Sequence, residues 1–131
     1  MSNGESRKVK RVRLTNPIKV VICSIGGQVR YDLTTKDIST TGFFLEYESP
    51  ARFPFNRSTI LEVWLTLEEN RKIFFNGKMA RVVYPKGEES ENVVESSPGI
   101  GIKIVQISQE NNEKLDGFIQ SKAIQLGDKS A

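Results

Sequence analysis

Six successive β-patterned stretches, closed by one stripe of helical period, restrict this chain more than any other feature. The clearest β signal lies at residues 59–67, where Leu61, Val63, Leu65 and Leu67 share one face and Glu62, Trp64, Thr66 and Glu68 the other. Residues 18–25 are rich in β-branched side chains and stop at Gly26-Gly27, a turn dipeptide. Further strands are expected at about 29–38, 42–47, 73–84 and 99–107, with an interior Gly77 that marks a bulge or bend. Residues 48–57 hold two prolines and residues 85–99 are acidic, so both read as loops. The period then changes. Leu115, Phe118, Ile119, Lys122, Ala123 and Leu126 form the stripe of an amphipathic helix in which only Lys122 is polar. Ser108 is placed to cap its N-terminus, and Gly127 to end it. A mainly β fold follows, a six-stranded antiparallel barrel with a C-terminal α-helix, because closure buries short strands without leaving edges.

Several function classes fall away on composition. With no histidine among 131 residues, histidine acid–base catalysis, Ser–His or Cys–His nucleophiles and histidine metal sites are excluded. A single cysteine, Cys23, excludes an intrachain disulfide framework and reads as a small buried hydrophobe. No apolar run approaches the roughly 20 residues that span a bilayer, and no apolar stretch follows the basic N-terminus as in a signal peptide. The expectation is a cytoplasmic protein that is not an enzyme, needs no cofactor or metal and does not insert into membranes.

Charge is distributed unevenly. The first twenty residues carry six basic side chains against Glu5, a net +5, and a total of +3 leaves −2 for the remainder. Cations concentrated in one arm suit a phosphate or carboxylate partner. Within that arm lies an R-x-x-x-R motif, Arg7 to Arg11, and at a strand junction lies D-x-S-x-x-G, Asp37 to Gly42. Arginine can bond guanine or phosphate bidentately or stack on a purine. The acceptor-only carboxylate of Asp37 suits the donors on guanine's Watson–Crick edge. Ser39 shares its side of the strand with Asp37, and Gly42 permits a sharp turn or a close approach. Together these residues fit an anionic guanine nucleotide, and they lack a P-loop or a carboxylate cluster for hydrolysing it.

The two motifs, separated by a β-rich stretch, resemble the PilZ domain, the bacterial receptor module for cyclic di-GMP. Gly77-Lys78-Met79-Ala80, Gly101-Ile102-Lys103-Ile104 and the terminal helix extend the resemblance over about residues 7–125. It implies a PilZ-type barrel at residues 9–126, a flexible arm at 1–8 carrying the start of R-x-x-x-R, and a tail at 127–131. It further implies that Arg7 and Arg11 clamp a guanine and phosphates, that Asp37 and Ser39 contact the other guanine, and that Gly42 shapes the turn. The function so implied is a cyclic di-GMP receptor in motility or biofilm regulation, either monomer or homodimer, which rearranges its arm and signals to a protein effector. Two alternatives stand beside it. A nucleic-acid-binding small β-barrel would use the arm on backbone phosphates, although the strands lack an interleaved aromatic and basic face. A protein-interaction adaptor of the same fold would bind no nucleotide.

Overall fold

The computed structural model describes residues 11–26, 30–47, 49–84 and 98–127, with backbone alone at 124–127. The expected arm at 1–8 with Arg7, the start of the second strand at Val29, most of the acidic loop and the tail beyond Gly127 lie outside the described residues. The strands are β1 (Arg11–Ser24), β2 (Arg30–Ser39), β3 (Gly42–Glu46), β4 (Leu61–Thr66), β5 (Lys72–Val83) and β6 (Gly99–Ile107), followed by helix α1 (Gln109–Gly127). They close into one antiparallel barrel in the order β1-β2-β3-β6-β5-β4.

Alternation fills the interior. Leu61, Val63 and Leu65 are buried while Glu62, Trp64 and Thr66 stay partly exposed. Facing them inside are Val20 and Ile22, Phe43 and Leu45, Ile73 and Phe75, and Ile100 and Ile102. Leu115 and Ile119 of α1 join the same core, so the helix covers apolar surface that the strands alone leave open. Lys122 sits in that stripe without leaving its charge unanswered. It ion-pairs with Glu68 and lies 5.7 Å from the Phe118 ring centroid.

α1 starts where the sequence places it. The Asn111 N–H donates to Ser108 Oγ at 3.0 Å, satisfying one of the donors that a helix N-terminus leaves free. Ser108→Ala is expected to cost about 1 kcal/mol and lower the melting temperature by roughly 3–5 °C, read by thermal denaturation. An unchanged midpoint would show that the cap is dispensable.

Two departures from simple alternation shape the outer face. β1 begins at Arg11, seven residues before the strand expected at 18, and its register with β2 slips between Arg13 and Ile18. Arg11 therefore belongs to a strand. The second departure is in β2. Leu33 and Thr35 point inward, and so does Ile38, so the inward side changes from odd to even positions around Lys36. Without that change Asp37 would face the core. Gly77 meets its expectation, since the β5–β6 register shifts between Asn76 and Gly77 and again between Met79 and Arg81.

Candidate functional site

Antiparallel register lines up side chains that share a face. Arg11 pairs with Ser39, Ser39 with Gly42, Gly42 with Lys103 and Lys103 with Lys78. The neighbouring row runs Arg13, Asp37, Phe44, Gly101, Arg81. Both rows lie on the outer surface, where Arg11, Arg13, Lys103 and Arg81 are exposed. Arg11, Asp37, Ser39 and Gly42 thus come together on one patch across β1, β2 and β3. Arg7 lies outside the described residues.

Within the patch, Arg11 Nε is 3.2 Å from Asp37 Oδ1, with side-chain exposures of 58% and 24%. Arg13 Nη2 donates to Glu46 Oε2 at 3.1 Å. Neither pair is sealed from water, so each is worth at most about 1 kcal/mol and can be exchanged for a ligand.

Thr35 holds Asp37 in place. Its buried hydroxyl donates to the Phe44 carbonyl at 2.6 Å, and Thr35 Oγ1 in turn accepts from the Asp37 N–H at 3.2 Å. Those bonds replace ladder bonds lost where the inward side of β2 changes, and they fix the backbone that turns the Asp37 carboxylate outward. Ser39 is 6% exposed and serves the β2–β3 turn. Its Oγ accepts from the Thr41 N–H at 3.1 Å and lies 3.3 Å from the Gly42 carbonyl oxygen, in reach to donate to it. The turn is tied to β6 by the Ile104 N–H donating to the Thr41 carbonyl at 2.8 Å.

Gly42 answers to close approach. A Cβ built there would lie 2.1 Å from the Ile102 carbonyl oxygen and 3.0 Å from Lys103 Cα, both backbone atoms. The glycine of D-x-S-x-x-G therefore has a folding role as well as any binding role.

Arg81 completes the patch on its far side. Its guanidinium carbon is 5.4 Å from the Phe44 ring centroid, and its Cγ would be 3.1 Å from a Cβ at Gly101. A long cation thus reaches over a ring because the strand beneath it has no side chain at Gly101. Thr35, Arg13, Glu46, Phe44 and Arg81 are the residues of this patch that motif spacing does not reveal. The signal for Arg13 was present, since Arg11-Val12-Arg13-Leu14 alternates. Thr35 and Phe44 carry no such signal.

No curated protein matches the chain. Among solved structures, the inhibitor of motility MotI/DgrA from Bacillus subtilis matches with a TM-score of 0.67 and 15% identity, covering 95% of this chain and 57% of that one. The chain thus spans little over half of that protein's length. The PilZ domain of Escherichia coli YcgR, solved with c-di-GMP, matches with a TM-score of 0.63 and 15% identity over 96% of this chain and 98% of that one. The PilZ domain of CeSA from a cellulose-synthesizing bacterium matches at 0.53 and 14%, over 85% and 95%. At these identities the likeness is one of fold. The PilZ domain family model matches residues 5–121. Since that model takes in the barrel and most of α1, the chain belongs to the PilZ domain family.

Proposed function

We propose that the protein is a receptor for cyclic di-GMP, and that the outer patch around Arg11 and Asp37 is its binding site. The observation that carries this reading is the exposed Arg11–Asp37 pair at 3.2 Å beside the β2–β3 turn. It presents a guanidinium and a carboxylate side by side, one suited to phosphate or the Hoogsteen edge of guanine and the other to the donors of its Watson–Crick edge. The c-di-GMP in the YcgR PilZ structure supports the choice of ligand.

On this reading the nucleotide replaces Asp37 as the partner of Arg11. Arg7, one R-x-x-x-R spacing upstream, closes on the same phosphates as the arm folds across the patch. Binding then favours the closed arm only by the difference in affinity between the two arrangements. The altered surface is what a protein effector reads. Thr35 positions Asp37, and Ser39 and Gly42 hold the turn that presents it. No helix among the described residues is long and apolar enough to cross a membrane.

Calorimetric titration of the full chain with cyclic di-GMP, GTP and cyclic GMP–AMP tests the reading. Saturable heat with cyclic di-GMP, and at least about tenfold weaker binding of GTP, is the expected result, because GTP cannot offer two guanines to the two halves of the site. No heat with cyclic di-GMP would overturn it. The row from Arg11 to Lys103 and Lys78 favours one other reading, a surface for backbone phosphates of nucleic acid. Steeply salt-dependent RNA binding, with no response to cyclic di-GMP, would put that reading first.

A further inference from the structure

A barrel strand with one face on the core and one in water alternates apolar and polar side chains. Beyond its register slip, β1 does not. Val20 and Ile22 point inward and are fully buried. Val21 and Cys23 point outward, and the next outward position is Ile25, which is 54% exposed. The apolar outer face continues across the ladder. Val21 pairs with Trp64, and Trp64 with Phe74, whose rings lie 5.0 Å apart at 47°. Val21, Trp64 and Phe74 remain partly exposed even though α1 packs on β1 and β5. Contiguous apolar surface of this kind on a folded domain marks a place where another surface sits.

The charges that frame the patch identify what sits there. On one side of the row Val21–Trp64–Phe74 runs Lys19–Thr66–Lys72, and on the other side Cys23–Glu62–Asn76. Among the described residues none of Lys19, Lys72 or Glu62 has an ion-pair partner. Consider a two-fold axis lying along the central row. It sets that row on its own copy and brings the Lys19–Thr66–Lys72 row of one chain over the Cys23–Glu62–Asn76 row of the other. Each Glu62 then falls opposite Thr66 of the second copy, with Lys19 and Lys72 of that copy on either side. A self-complementary patch of this form is what an isologous interface requires.

We infer that the outer face of β1, β4 and β5 binds a second copy of this chain, with Trp64 at the centre and Glu62 set between two lysines of the partner copy. In the six-strand ring β4 lies across the barrel from β3. The dimer therefore leaves the Arg11–Asp37 patch of each copy facing outward, and assembly does not depend on the nucleotide.

Sedimentation equilibrium of the full chain over a rising concentration series, with tryptophan emission recorded in parallel, tests this directly, since Trp64 is the single tryptophan. The expected result is a mass that rises to two chains while the emission shifts to the blue. Trp64→Lys is expected to stay a single chain throughout. Glu62→Lys is expected to weaken the dimer at least about tenfold, by setting like charges against each other. Adding Lys19→Glu and Lys72→Glu to Glu62→Lys is expected to restore it. Far-ultraviolet circular dichroism confirms that each variant is folded. A wild-type chain that stays single with constant emission at the highest concentration overturns the inference. So does a dimer that persists in Trp64→Lys, or a triple variant that fails to recover association.

Discussion

Gly42→Ala is expected to abolish cooperative folding of the barrel. The new Cβ would sit 2.1 Å from the Ile102 carbonyl oxygen, and the obstructing atoms belong to the β6 backbone. No rotamer change relieves such a contact. Strands β3 and β6 must separate, which breaks the register from Gly42↔Lys103 to Glu46↔Gly99. The cost is on the order of 4 kcal/mol or more, a large part of the 5–15 kcal/mol that a domain of this size has. Thermal denaturation followed by circular dichroism should show no sharp transition, or one far below that of the parent. Gly117→Ala is the internal control. Gly117 lies on an exposed helix position, where a Cβ meets nothing within 4 Å. There the substitution is expected to stabilise by about 0.5–1 kcal/mol through helix propensity. If Gly42→Ala melts within a few degrees of the parent, the close approach of β3 and β6 is not what the glycine serves.

Arg11→Ala should separate binding from folding. Its side chain is 58% exposed and, among the described residues, its ion pair is with a carboxylate that is itself in contact with water, so stability should change by no more than about 1 kcal/mol and the melting temperature by less than about 5 °C. The loss of cyclic di-GMP affinity should be about 100-fold, the equivalent of one or two charge-assisted hydrogen bonds. Arg11→Lys should recover little, because an ammonium cannot reproduce the planar fork. Calorimetry and a melting curve on the same samples give both readings. Unaltered affinity in Arg11→Ala would remove the Arg11–Asp37 patch from the binding site.

The barrel and helix are legible in sequence because burial imposes periods of two and of 3.6, as at Leu61–Val63–Leu65 and at Leu115–Ile119. The start of β1 was obscured for a physical reason. Its inward residues Val12 and Leu14 alternate with Arg11 and Arg13, and a dense run of cations reads as a solvated arm although it alternates correctly. The placement of Asp37 was legible only in part. Its motif marks a turn, but the change of face around Lys36 depends on a buried Thr35 hydroxyl reaching the Phe44 carbonyl, and no local pattern announces that bond. The placement of Arg81 over Phe44 was hidden for a similar reason. It joins strands β3 and β5 across β6, a relationship that exists only once register is set.

The slip in β1 has a consequence for how such a protein can diversify. Before it, the outward side chains are Arg11 and Arg13, which face the proposed ligand. After it, they are Lys19, Val21 and Cys23, which face the proposed second copy. Between them Thr15, Asn16 and Pro17 are all exposed, and the ladder with β2 skips from Arg13 to Ile18. A stretch with no ladder partner among the described residues can be lengthened or shortened without moving either half out of register. One strand therefore carries two surfaces joined by an adjustable splice, and substitutions that retune one surface need not be compensated at the other.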